Sequence, residues 1–128
     1  MDKKELNQLS RKVIGAAIEV HRNLGPGLLE SVYEHCLCNE LSLRSIRFER
    51  QKPVEINYKG HAVGKTFLID ILIEKELVLE LKSIEALLPV HETQLLTYLK
   101  LTHCKLGLIL NFNVEQMQKG IKRMVLGF

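Results

Sequence analysis

The chain has 128 residues, 46% of them hydrophobic and 26% charged, and carries a formal net charge of +3. That length predicts one domain with a real core and no room for a second. No apolar run nears the roughly 20 residues that span a bilayer, and Met1-Asp2-Lys3-Lys4-Glu5 leads into no signal-type apolar block, so no membrane partner and a cytoplasmic location are expected. The mild basic excess permits a polyanionic partner without requiring one.

Leu6, Leu9, Val13, Ala16, Ala17 and Val20 recur every three or four residues and predict an amphipathic first helix, ended by Asn23-Leu24-Gly25-Pro26-Gly27. A second helix is expected from about Leu28 to Leu43. Leu29, Tyr33, Cys36, Leu37 and Leu41 form its apolar face, with Glu30 at the edge and Glu40 poised to pair with Arg44. Glu30 falls in the first turn, where the helix dipole favours an ionised carboxylate. It is either a functional acid or a dipole-compensating charge. The odd number of cysteines, three, suits a reducing compartment. Cys36 and Cys38 stand about 200° apart on a helix and cannot share one zinc ion, so Cys36 reads as core and His103-Cys104 as a helix end.

Arg44, Arg47, Arg50 and Lys52 form one basic segment, and Lys119, Lys122 and Arg123 another; each is either a polyanion-binding patch or an ordinary solvated face. Pro53 to Tyr58 alternates as a first strand, Lys59-Gly60 turns, and His61 to Gly64 continues extended. Next come two short apolar runs, Phe67 to Ile73 and Leu77 to Lys82, split by Glu74-Lys75-Glu76 and therefore read as a hairpin. A turn centred on Lys75 pairs Ile73 with Leu77 and sets Asp70 opposite Glu80, so that Asp70, Glu80 and Lys82 share one face. Opposed Cβ atoms lie about 4.5–5.5 Å apart, where two buried carboxylates repel unless neutralised. A divalent cation would neutralise both; an ion pair with Lys82 would neutralise one. Both alternatives are open at this stage.

Ser83 to Leu88 is a connector. Pro89 begins a helix on which His91, Gln94 and Tyr98 make a polar stripe, and Leu106 to Phe112 is a buried strand returning through a right-handed crossover. A last amphipathic helix is expected over about Val114 to Val125.

The order helix, helix, three strands, helix, strand, helix, with an acid on one strand and Glu80-Leu81-Lys82 on the next, resembles the PD-(D/E)XK nuclease superfamily. Gly27-Leu28-Leu29-Glu30-Ser31-Val32-Tyr33 is similar to the signature of the family named for Gly-x-x-Glu-x-x-Tyr. The likeness continues through Phe48-Glu49-Arg50-Gln51, through Pro89-Val90-His91-Glu92 with Gln94, Leu95, Leu96, Tyr98 and Leu99, and through Asn111-Phe112-Asn113. It implies an α/β restriction-endonuclease-like core, a central mixed four-stranded sheet flanked by helices. It also implies Mg²⁺ or Mn²⁺ held by Asp70 and Glu80 with the Leu81 carbonyl, Lys82 acting on water or phosphate, Glu30 as a further acid, and Gln94 in support. Where that family often carries arginine or another polar residue, two positions before the strand aspartate, this chain has Leu68.

The implied function is a metal-dependent nuclease acting on DNA or RNA. The alternatives are a non-catalytic module binding nucleic acid or a protein partner, and a nuclease subunit inactive without a recognition partner or a second copy. Seven aromatic residues, four Phe and three Tyr, do not advertise single-strand stacking.

Overall fold

The computed structural model describes all residues, Met1–Phe128. Helices α1 (Lys3–Leu24) and α2 (Glu30–Leu43) precede strands β1 (Phe48–Tyr58), β2 (His61–Ile73) and β3 (Leu77–Lys82). Helix α3 (Pro89–Thr102), β4 (Leu106–Asn111) and β5 (Ile121–Val125) complete the chain. The sheet order is β1-β2-β3-β4-β5, with only β3 and β4 parallel. α3 supplies the crossover that a parallel pair requires.

The two sheet faces bury different partners. Leu77, Leu79, Leu81, Leu106, Leu108 and Leu110 face α1 and α2, joining Leu6, Val13, Ala17, Tyr33, Leu37 and Leu41 in the larger core. Val78 and Ile109 face α3, packing with Leu95 and Leu99. A sheet covered on both sides explains why β3 and β4 read as continuous apolar runs. α3 lies so close over β4 that a Cβ on Gly107 would stand 2.9 Å from the Leu95 side chain.

The expected mixed sheet is present, with a fifth strand in place of the expected last helix. Residues 114–125 form a single 3₁₀ turn at Met117–Gly120 followed by β5. Met117, Ile121 and Met124 fit helical spacing, but β4 has open main-chain groups on that edge, and β5 satisfies them from Leu106–Val125 to Leu110–Ile121. Gly120 permits the turn: a Cβ there would stand 2.0 Å from the Asn111 carbonyl oxygen.

Smaller corrections concern α2 and β1. α2 starts at Glu30, leaving Leu29 outside it and 73% exposed; Cys38 is buried where Cys36 was expected, and Cys36 is half-buried. β1 begins at Phe48, five residues before Pro53, and β2 is one continuous strand of 13 residues.

Candidate active site

β2 and β3 pair at Ile73–Leu77, Leu72–Val78 and Ile71–Leu79, as the hairpin reading requires, and there the ladder stops. The expected main-chain pair Asp70–Glu80 is not formed. Instead the Asp70 carboxylate takes a main-chain role, its Oδ2 accepting the Leu81 N–H at 2.8 Å. The strand irregularity at this point is visible on both sides of Asp70. Ile69 packs in the α3-side core while Ile71 packs in the other, so strict alternation fails between them. Across on β1, Gln51 has φ +51° and is skipped in the ladder, which steps from Arg50–Ile71 to Lys52–Ile69. A non-glycine residue held at positive φ inside a strand is strained and re-aims its side chain.

Glu80 is buried on the α3 side of β3, and its Oε1 is the one buried side-chain polar atom without a hydrogen-bond partner. Burial, then the neighbouring Asp70, pushes its carboxyl up to about 8; Lys82 partly opposes this. Asp70 is raised by burial and by Glu34, against the Leu81 amide and Lys82. Glu30, the first residue of α2, is exposed; its carboxyl is raised by partial desolvation and then by Asp70, with Lys82 pulling the other way. Asp70, Glu80, Lys82 and Glu30 therefore sense one another. Lys82 takes part in none of the chain's seven ion pairs, so the ion-pair alternative for the two strand carboxylates is not what the fold contains. Leu81 has its side chain in the α1–α2 core and its N–H on Asp70. Gln94 is exposed on α3 beside the Tyr98 hydroxyl, and Tyr98 is itself raised by burial and by Glu80 and Asp70.

Three supporting arrangements went unread in the sequence. Glu34, one turn beyond Glu30, is buried and accepts Arg50 Nε at 2.6 Å and Gln51 Nε2 at 2.7 Å, fixing the strained Gln51 next to Asp70. The i, i+4 spacing from Glu30 was the signal available. Second, the fully buried Tyr33 stacks on Phe112 at 4.5 Å, and its hydroxyl donates to the Gly25 carbonyl and accepts the Leu28 N–H at 3.2 Å. The tyrosine of the Gly-x-x-Glu-x-x-Tyr stretch thus clamps the loop that delivers Glu30, and Ser83 Oγ donates to Leu28 O at 2.6 Å from the far side. Third, the buried Asn111 amide pairs with both main-chain groups of Ile84, and Phe112 N–H donates to Lys82 O at 2.9 Å. These bonds fix the end of β3.

Glu30, Ser31, Glu34, Arg50, Gln51 and Asp70 line an open cleft of about 420 Å³. A hollow of similar size beside Arg47, Glu49 and Glu74 holds an Arg47–Glu74 ion pair and none of the carboxylates that burial raises. The basic segment also resolves: Arg44, Arg47, Arg50 and Lys52 pair with Glu40, Glu74, Glu34 and Glu49, so it is no free polyanion patch.

The chain matches the family model described as PD-(D/E)XK nuclease superfamily over residues 7–124. It belongs to that superfamily. No curated protein and no solved structure matches it. Superfamily members generally use divalent metal ions, and the donors here suit one. Asp70 and the unsatisfied Glu80 Oε1 are hard oxygen donors with electrostatic need of a cation. No group of three or more His, Cys, Asp and Glu side chains forms a cage. No helix is long and apolar enough to cross a membrane.

Proposed function

We propose that this PD-(D/E)XK chain is a Mg²⁺- or Mn²⁺-dependent phosphodiesterase that cleaves nucleic acid, one nuclease domain spanning residues 1–128 and akin to the Gly-x-x-Glu-x-x-Tyr proteins. The observation that carries the reading is the buried, unpartnered Glu80 Oε1 beside Asp70, with Lys82 left out of every ion pair. A fold that only needed a stable sheet would place an apolar residue at Glu80, since burying an unpaired carboxyl costs several kcal/mol.

Asp70 and Glu80 would hold the ion, with the Leu81 carbonyl as the main-chain ligand the resemblance implies. The bound ion supplies Lewis-acid polarisation of the phosphate and an accessible hydroxide near neutral pH. The residues do the rest. Lys82 carries a positive charge toward the acidic face, to orient the attacking water or to offset charge gathering on the phosphate. Glu30, with its raised carboxyl, accepts or relays a proton at the mouth of the cleft. Gln94 orients the Tyr98 hydroxyl, and Glu34 with Gln51 keeps Asp70 in place. The three free cysteines suit a reducing, cytoplasmic setting.

The test is a cleavage screen over single- and double-stranded DNA and RNA with Mg²⁺ and Mn²⁺, with Lys82→Ala as the control. Cleavage by the wild-type chain that the variant lacks is expected. Nucleic-acid binding without cleavage under either metal overturns the enzyme in favour of a binding module. Activity that appears only with an added protein partner or with dimerisation makes the chain a dependent subunit.

A further inference from the structure

Beyond the level of the site the sheet narrows to two strands. β3 ends at Lys82, only three residues past its last β2 pair at Leu79, whereas β1 and β2 continue together from Leu68–Pro53 to Tyr58–His61. The seven residues His61–Phe67 at about 3.3 Å each carry this ribbon roughly 23 Å past the sheet. Every residue from Asn57 to Thr66 is exposed. The ribbon leaves from the Lys82 end of β3, the same end as the site, and its base is fixed there by Phe67, which stacks on Tyr98 at 4.3 Å. Anything long that reaches Asp70 and Glu80 from that end runs alongside it.

Its charges differ from those of the basic segment that leads into it. The arginines and lysine between Arg44 and Lys52 are neutralised by carboxylates, and Lys122 pairs with Glu92 at 3.4 Å. Lys59 at the tip and Lys65, two residues before Phe67, have no carboxylate partner, and Lys59 lies over the exposed Tyr58 ring at 5.4 Å. Unpaired cations also stand at Lys4 and Arg11 on α1. The start of that helix is tied to the opposite end of the sheet by the Met1 amino group on Glu76 at 3.0 Å, so Lys4 stands away from the ribbon.

Resting on the nuclease reading, we infer that the β1–β2 ribbon is a clamp for double-stranded DNA, with Lys59 and Lys65 on its phosphates. A two-stranded ribbon fits the major groove of B-form DNA, about 12 Å wide, and not the deep narrow groove of an RNA duplex. Only one aromatic ring is exposed on the ribbon, where a single strand needs a row of them to stack its bases.

The experiment uses the full chain without metal and a labelled DNA duplex of roughly 20 base pairs, read by anisotropy over a salt series. Lys59→Asn/Lys65→Ala, with asparagine chosen because Lys59 has φ +50°, should weaken binding about tenfold and lower the salt slope by about two. Lys4→Ala/Arg11→Ala should stay within about twofold. Melting temperature checks that both variants fold. Unchanged duplex affinity in the ribbon variant, or tighter wild-type binding to RNA duplex or single strand, overturns the clamp. So does a wild-type dimer by sedimentation that the ribbon variant dissolves, because a second copy then occupies the arm. Hydrolysis of bis(4-nitrophenyl) phosphate with Mn²⁺, a substrate too small to touch the ribbon, separates the two claims. If hydrolysis persists without duplex binding, the clamp falls and the chemistry stands; ribbon-dependent binding without hydrolysis is the reverse.

Discussion

Asp70 spends one carboxylate oxygen on the Leu81 amide, at 2.8 Å, at the point where β2 and β3 stop pairing. The bond does the work of the missing ladder rung and ties the acid to the very residue that separates Glu80 from Lys82. In the proposed enzyme the other oxygen of Asp70 and the orphaned Oε1 of Glu80 would meet the cation.

Glu80 gives the metal-free protein a pH-dependent stability. Its carboxyl moves from the ordinary 4.5 to about 8 on folding, so between these values the folded chain holds a proton that the unfolded chain releases. Stability therefore falls as the pH rises from about 4.5 to about 8. Melting curves across that range should show the decline, and Glu80→Gln should flatten it; an equal slope in the variant assigns the effect elsewhere.

Mg²⁺ or Mn²⁺ should offset that loss by binding the native state, about 2.7 kcal/mol at a hundredfold excess over Kd. The gain should grow with pH, since ion and proton compete for Glu80. Asp70→Asn should shrink the metal-induced rise in melting temperature, and identical rises in variant and wild type would place the ion at another site.

Lys82→Ala should cut turnover about 10²-fold or more, with nucleic-acid affinity within a few-fold. Because Lys82 forms no ion pair, the thermal cost should stay well below the roughly 3–5 kcal/mol of a broken buried pair. A variant that loses activity only by unfolding would contradict this, and circular dichroism beside the cleavage assay distinguishes the two.

Gln51→Ala leaves the buried Glu34 without one of its two donors, for a loss of about 1–3 kcal/mol by chemical denaturation. Asp70 shifts with it, so metal affinity should drop as well. A destabilised variant with intact metal affinity would limit Gln51 to architecture.

The glycines separate rigid from yielding contacts. Gly120→Ala drives a methyl into the Asn111 carbonyl, a main-chain atom, and should cost more than Gly107→Ala, where the obstacle is the Leu95 side chain. Overpacking of this kind costs about 1–3 kcal/mol, and denaturation midpoints should rank the two in that order.

The central hairpin was legible because the residues that form it sit side by side: Ile73 and Leu77 are brought together by a three-residue turn. What alternation could not reveal was its own failure at Asp70. That failure lies beside Gln51, nineteen positions earlier, and Glu34 in another layer, and neither registers in the alternation of β2. β5 was hidden for a related reason. Its five residues have no strong preference of their own, and the open edge of β4 decides their conformation. Arg50 shows the limit of counting charges, since a run of basic residues cannot disclose that Arg47 and Arg50 meet acids from distant segments, Glu74 and Glu34.

The bonds from Asn111 and Phe112 to Ile84 and Lys82 bear on the order in which the protein is made. All of Glu30, Asp70, Glu80 and Lys82 have been synthesised before β4 exists, yet until residues 106–113 return to lie along β3 that strand is an open edge, and nothing holds its last residue. Closing the parallel crossover is a non-local step and comes late in folding. A nascent chain therefore carries its acids and lysine unassembled until residues 106–113 have left the ribosome.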